Sequence, residues 1–318
     1  MDVSTFEKLN LSPVRVSVIM GVYNQMDKAA LDMAVDSILR QTLRDFEFII
    51  YDDGSVPEAA RYVYEQGKKD PRIRVYGVDR NQGLAFSLNS CAALARGAYI
   101  ARMDADDIAR EDRLERQYRF LEEHPEMDWC GSNAYLFDGQ EVWGARVMPE
   151  FPVAEDYLRF SPYIHPTVMY RRELLRSQHY DTGSSTLHCE DYEIFMRLLR
   201  KGYRGCNLQE NLLYYRENMD SYGRRTLERR LNEAKIRYHN FRNLGILFPK
   251  GWLYVLRPIA GILAPNWLIA AIKKKESGQG YDSGNNKTAA LSTLDRAEPG
   301  ADYSNPKLYD SESRLGAR

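Results

Sequence analysis

The chain has 318 residues, with 44 Lys and Arg against 45 Asp and Glu and a formal net charge of -1. That length leaves room for a sizeable core in one large domain or two smaller ones, and the balanced charge excludes a protein whose global field recruits nucleic acid. The four cysteines, Cys91, Cys130, Cys189 and Cys206, lie far apart with no Cys-x-x-Cys pair, which excludes a zinc ribbon, a dithiol redox pair or a disulfide framework and fits a reducing, cytosolic setting.

Residues 1–13, MDVSTFEKLNLSP, are acidic and polar without an apolar core, so they read as an N-terminal arm and not as a secretory signal. Val14 to Val22 is rich in β-branched residues and nearly continuous in apolar character after Val16, as expected of a strand buried on both faces. It stops at Tyr23-Asn24. Leu31, Val35, Ile38 and Leu39 then recur at helical spacing, predicting a helix over 27–41. Phe46 to Tyr51 is a second strand, ending at the turn signal Asp52-Asp53-Gly54-Ser55. A helix over 57–68 leads to a third strand, Ile73 to Val78, which ends at Asp79-Arg80-Asn81. Gly83 opens another helix and Gly97 closes it.

The fourth strand is Tyr99-Ile100-Ala101-Arg102-Met103, followed at once by Asp104-Ala105-Asp106-Asp107. Three carboxylates within four residues repel one another and raise each other's pKa. A divalent cation with oxygen ligands removes that cost, and Mg²⁺ is typically held by one or two carboxylates plus substrate phosphates. The competing reading is an acidic turn in which Asp106 or Asp107 caps a helix. Strands alternating with helices predict βαβ units and a mostly parallel sheet, whose ligands bind beyond the strands' carboxyl ends. Each such end here is polar or acidic: Tyr23-Asn24, Asp52-Asp53, Asp79 to Asn81, and Asp104 to Asp107. Together they favour a nucleotide site over four unrelated turns.

A helix from Asp112 to His124, a strand from Trp129 to Tyr135 and, after the turn signal Asp138-Gly139, a partner over Glu141 to Met148 come next. Residues 150–163 read as an irregular connection, His165 to Tyr170 as a strand entry and Arg171 to Leu175 as a short helix. Glu190-Asp191 precedes a helix carrying Tyr192, Phe195, Met196, Leu198 and Leu199. At a helix start the dipole favours ionised Asp191, which suits a base; the plainer reading is a cap. Leu212 to Arg216 is the expected last strand. A helix over Thr226 to Leu244 carries Leu227, Leu231, Ala234, Tyr238 and Phe241 on one stripe, expected to pack on the domain or on a partner. Residues 246–275 are apolar and aromatic, with Lys250, Arg257 and Lys273-Lys274-Lys275 and no Asp or Glu. This composition suits a membrane headgroup zone, or else short helices closing the core or a homodimer interface. Residues 276–318 have the composition of a disordered tail. No apolar run reaches the length of roughly 18 residues that a spanning helix needs.

The ordered blocks VSVIMGVYN (16–24), SILRQTLRDFEFIIYDDGS (37–55), NQGLAFSLN (81–89), YIARMDADD (99–107), HPTVMYRRELL (165–175) and CEDYEIFMRLL (189–199) resemble the family-2 inverting glycosyltransferases with the GT-A fold, closest to bacterial enzymes that build capsule, exopolysaccharide or O-antigen units. The resemblance covers about 14–216. It implies an α/β, Rossmann-like GT-A domain over 14–216, with a nucleotide-binding half (14–110) and an acceptor half (111–216); the composition described above, and not the resemblance, makes 217–275 a C-terminal helical segment and a candidate for membrane association. The resemblance implies a nucleotide-sugar donor, a glycan or lipid-linked acceptor, Mn²⁺ or Mg²⁺, and a place on the cytoplasmic face of the plasma membrane.

Position by position, the resemblance implies that Tyr23 stacks on the base and that Asp53 accepts a hydrogen bond from a pyrimidine imide. Gly21, Asn24, Asp52, Asn81 and Gly83 line the nucleotide pocket. Asp106 ligates the metal, and Asp104 reaches the ribose or shares the metal. Asp191 is the general base, with Glu190 and Arg197 in support. His165 either faces the acceptor or is a structural histidine before Pro166. Two departures stand out. Gly21 occupies a position where the family usually has Pro, Thr or Ser, and the Gln-x-x-Arg-Trp motif of processive members is absent, which argues for single transfer. A sugar-1-phosphate nucleotidyltransferase or an NAD-dependent enzyme would need a Gly-rich loop that Gly21-Val22-Tyr23-Asn24 does not supply. An inactive, glycosyltransferase-like subunit that binds a membrane or a partner is the alternative from another class.

Overall fold

The computed structural model describes residues 14–183, 186, 189–217 and 227–260; the N-terminal arm, residues 261–275 and the 276–318 tail lie outside the described residues. Strand β1 (Val16–Val22) sends Val16, Val18 and Met20 into one core and Ile19 into another. Strand β2 (Phe46–Asp53) divides likewise, with Phe46, Phe48 and Ile50 on one side and Ile49 and Tyr51 on the other. Strands this apolar need cover on both faces. Helices α1 (Lys28–Leu39) and α2 (Pro57–Gln66) cover the first face through Leu31, Val35, Ile38 and Val63, and α3 (Leu84–Leu94) covers the second through Leu88 and Cys91. α1 starts where Asp27 accepts the Ala30 N–H at 3.0 Å, and α2 starts at Pro57.

β3 (Ile73–Val78), β2, β1 and β4 (Tyr99–Arg102) lie side by side in that order, all parallel. The chain therefore steps outward from β1 to β3 and then crosses back to β1's other side. Such a switch point opens a crevice beyond the carboxyl ends of the two diverging strands. Those ends are Tyr23-Asn24 and Asp104 to Asp107.

Past β4 the sheet becomes mixed. With β5 (Ile108–Ala109), β6 (Trp129–Phe137), β7 (Val142–Arg146), β8 (Met169–Arg171) and β9 (Gly205–Arg216), the order continues β4-β8-β6-β9-β5, and β7 pairs with β6. β8 is antiparallel to both neighbours and β5 is antiparallel to β9, while β6 and β9 are parallel over their length. Helices α4 (Arg113–Glu123), α5 (Arg172–Ser177), α6 (Glu190–Arg200), α7 (Leu227–Asn243) and α8 (Trp252–Ala260) complete the described fold.

Several expectations change. No helix begins at Asp106 or Asp107: β5 follows, held by Arg110 N–H to Leu212 O at 3.0 Å, and α4 starts only at Arg113. His165–Thr167 is a 3₁₀ turn and not strand, because Val168 N–H bonds back to His165 O and the Thr167 hydroxyl to Ile164 O. A short 3₁₀ turn, Ala154–Leu158, interrupts the 150–163 connection. In α7, Ala234 and Phe241 are buried but Leu227 and Leu231 are exposed. Arg237, outside that stripe, is buried as well: it donates to Leu158 O at 2.8 Å and pairs with Glu233.

Candidate active site

The nucleotide-side residues meet around three strand ends. Tyr23, just past β1, is 53% exposed, a large ring standing free above the crevice. Asn24 has φ 49°, a left-handed conformation that Asn tolerates. Its N–H donates to Ser55 Oγ and its Oδ1 accepts from Val56 N–H, each at 2.8 Å, which latches the β1 turn to the β2 turn. Gly21 faces α3: a Cβ there would meet Leu84 Cδ1 at 3.0 Å and Ser87 Cβ at 3.1 Å. The small residue is thus explained by close packing of α3 on β1.

Asp52 accepts from Ser55 N–H at 3.3 Å, shaping its own turn. Asp53 is buried and accepts three hydrogen bonds from one loop, from Gln82 N–H (2.9 Å), Gly83 N–H (2.7 Å) and Asn81 Nδ2 (2.8 Å). Its carboxylate holds the 81–83 loop against β2 and is largely occupied by it. Burial nevertheless lifts its pKa above the ordinary value, with the Asp52 charge adding to that and the Gln82 and Gly83 N–H groups opposing it.

The acidic stretch after β4 is organised by arginines that the sequence reading did not single out. Arg102, the last residue of β4, is 2% exposed and its Nη1 lies 2.5 Å from Asp104 Oδ2. Its Nε has no hydrogen-bond partner among the described residues. Arg113 is also buried and donates to the Arg102 carbonyl at 2.7 Å. Arg216, at the end of β9, donates from Nε to Asp106 O at 2.9 Å, and its backbone N–H donates to Asp107 Oδ1 at 2.8 Å. Asp107 is therefore a buried brace between the acidic loop and β9. Gln25 Nε2 reaches Ala105 O at 3.4 Å and ties the same loop to the β1 turn. Burial pushes the Asp106 pKa up, and the Asp104 charge pushes it further; Asp107 moves in the same direction for the same reasons.

Glu190 and Asp191 occupy the first turn of α6. Glu190 feels the attraction of Arg102 and the repulsion of Asp104, so the two acidic segments share one electrostatic environment. The helix start favours ionised Asp191, yet its pKa rises to about 6, chiefly through burial and then through Glu190, against the Tyr192 N–H and Arg102, which leaves it mostly ionised at neutral pH. Desolvation outweighs the dipole, which acts only within the first turn. The buried Glu47 shows the contrast. Burial works against it too, but the Arg96 N–H, Ser17 Oγ and Arg74 each bond it at 2.7 Å and hold its pKa below the usual value. Glu47 is a satisfied structural carboxylate.

His165 and Arg197 lie differently. His165 is buried, bonds the Tyr180 hydroxyl at 2.7 Å, and is held neutral by burial and by the nearby Arg102. Tyr180 continues the chain to Tyr170 at 3.0 Å, and its backbone is clasped by the Asn89 amide through two hydrogen bonds at 2.9 Å. His165 thus belongs to a buried polar network under the crevice. Arg197 pairs with Glu193 at 2.8 Å and donates to His179 O at 2.7 Å, so its guanidinium is taken up along α6. Periodicity could not have found Arg102 or Arg216. The available signal was an arginine set inside or at the end of an otherwise apolar strand.

The architecture is of the GT-A class. Staphylococcus aureus TarS, solved in complex with UDP-GlcNAc, superposes with a TM-score of 0.60 at 18% identity, covering 80% of this chain and 79% of that one. The model of the family Glycosyl transferase family 2 matches residues 17–183, and the chain belongs to that family. Among its relatives, EpsE of Bacillus subtilis is 33% identical across 84% of this chain and 95% of its own length. The Escherichia coli O-antigen biosynthesis glycosyltransferase WbnJ is 32% identical across 63% of this chain and 79% of its own.

Proposed function

We propose that this glycosyltransferase moves one sugar from a UDP-linked donor to a glycan or lipid-linked acceptor, with inversion, during synthesis of a cell-surface polysaccharide at the cytoplasmic face of the membrane. The observation that carries the reading is the convergence of two acidic segments on Arg102: Asp104 to Asp107 at the sheet's switch point and Glu190-Asp191 at the start of α6. The UDP-GlcNAc bound by TarS and the O-antigen role in WbnJ's name support the choice of donor and pathway class.

In this reading Tyr23 stacks on the base, and the Asn24–Ser55 and Asp53–Gly83 latches hold the rim of the nucleotide pocket. Asp191 takes the proton of the acceptor hydroxyl as that oxygen bonds the anomeric carbon. The bond from that carbon to the diphosphate oxygen breaks on the opposite face, which inverts configuration. Asp106, with Asp104, would hold Mn²⁺ or Mg²⁺, and the bound ion supplies charge neutralisation for the departing diphosphate. Asp104 and Asp106 repel each other, a cost that a cation between them would relieve; Asp104 also pairs with Arg102, so phosphate oxygens and water would supply most of the ion's remaining ligands.

Two measurements test this. UDP with Mn²⁺ at a hundredfold excess over Kd is expected to stabilise the protein by about 2.7 kcal/mol, or about 5–10 °C in Tm. No shift with UDP, GDP or dTDP would leave the inactive-subunit alternative standing. The pH profile supplies a second test. Since Asp191 must be ionised to act and its pKa is raised to about 6, kcat/KM should fall about tenfold per pH unit below 6 and level off above it. A profile flat from pH 5 to 8 would remove Asp191 from the role of base.

A further inference from the structure

Helix α8 is apolar on the side that faces away from the protein as well as on the side that packs. Val255 and Pro258 are buried. Leu253, Leu256, Arg257 and Ala260, spaced as one helical stripe, are exposed, and Leu253 is 73% exposed. Phe248, just before the helix, is also 73% exposed, and Trp252 adds its ring edge beside it, with the two centroids 6.1 Å apart. A helix apolar all round is ordinarily covered. Exposed Lys250 and Arg257 frame the patch, and no acidic residue occurs in 246–275.

We propose that Phe248, Trp252, Leu253 and Leu256 form a surface that inserts into the interface of an anionic lipid bilayer, with Lys250 and Arg257 at the level of the headgroups. The charge pattern selects this occupant. A second copy of the chain meeting this patch across a two-fold axis would set Lys250 and Arg257 against their own like charges with no acid in the segment to answer them. An anionic leaflet answers them directly, and aromatic side chains beside cations are the usual composition of an interfacial anchor.

The position suits the chemistry. α8 lies against α7, where Arg230 donates to Pro258 O at 3.1 Å, and α7 carries Arg229, whose charge acts on Glu190 beside the proposed base. The lipid-facing helix therefore abuts the element that borders the acceptor side of the crevice, and a membrane bound there would present a lipid-linked acceptor to Asp191. The surface itself does not depend on the transferase reading.

The test is co-sedimentation of the full chain with vesicles of phosphatidylcholine alone or mixed with phosphatidylglycerol. Binding is expected to the mixed vesicles, and at least tenfold less to the neutral ones. The double variant Leu253→Ser/Leu256→Ser should lose at least tenfold in binding, and Lys250→Glu/Arg257→Glu should lose about as much, selectively on the anionic vesicles. Both variants should keep the wild-type rate of donor hydrolysis in solution, which reports the catalytic site independently and also reports folding. Absence of wild-type binding, unchanged binding by both variants, or a concentration-dependent dimer that both variants abolish would overturn the proposal.

Discussion

Replacing Asp191 by Asn is expected to lower transfer by about 10²–10⁴-fold while UDP binding stays within about twofold. Asn keeps the shape and the hydrogen-bonding reach of Asp but cannot take a proton. In the proposed reading the nucleotide is held by the β1, β2 and β4 ends and not by α6, so binding should be spared. The same variant should be more stable than wild type. Asp191 has its pKa raised to about 6 by burial and by Glu190. Its unfolded-state pKa is lower, near 4, so the folded state loses stability as pH rises through that window and carries the deficit at pH 7. Removing the charge recovers about 1–3 kcal/mol. Titration calorimetry with UDP, a labelled-sugar transfer assay and thermal melts at pH 5 and pH 7 read all three. Full turnover by the variant would end the assignment. A lowered Tm at pH 7 would show that Asp191 is a structural carboxylate like Glu47.

Replacing Arg102 by Met is expected to cost about 3–5 kcal/mol at neutral pH, because it leaves buried carboxylates without their cation. Arg102 is 2% exposed, lies 2.5 Å from Asp104 Oδ2, and attracts Asp107, Glu190 and Asp191 as well. The sign of the pH effect follows. Without Arg102 the pKa values of Glu190 and Asp191 rise further, so the penalty is largest when both are ionised and shrinks as pH falls towards 5. Arg102→Lys keeps a charge but loses the planar fork, so it should fall between wild type and Met in stability and in transfer rate. Denaturant melts of the three proteins at two pH values decide it. A Met variant with wild-type stability at pH 7 would mean that Arg102 carries no share of the site's charge balance.

The parallel half of the sheet was legible residue by residue. Strands such as VSVIMGV and FEFIIYDD are apolar on both faces, and only a sandwiched position tolerates that. The acidic strand ends were legible for a related reason, since polar groups concentrated at the ends of apolar strands point to one edge of the sheet. The second half was read less well. β5 is a two-residue strand that exists only because β9 lies beside it, and the His165 turn is set by hydrogen bonds to neighbours at the backbone level. In α7 the burial of Arg237, with Glu233 and the Leu158 carbonyl in place, could not be read from a hydrophobicity pattern.

Local chemistry in the chain by itself determined the sheet's parallel strands, the positions of its carboxyl ends and the residue types that could serve a nucleotide, a metal and a base. Tertiary structure alone decided the roles. It gave Asp53 to the 81–83 loop, made Asp107 a brace for Arg216, placed His165 in a buried neutral network and turned Arg197 onto Glu193. It also set Arg102 between segments nearly ninety residues apart. A pKa, unlike a strand, depends on everything within a few ångströms irrespective of sequence distance. For that reason the elevation of Asp191 could be found only once burial and its neighbours were known.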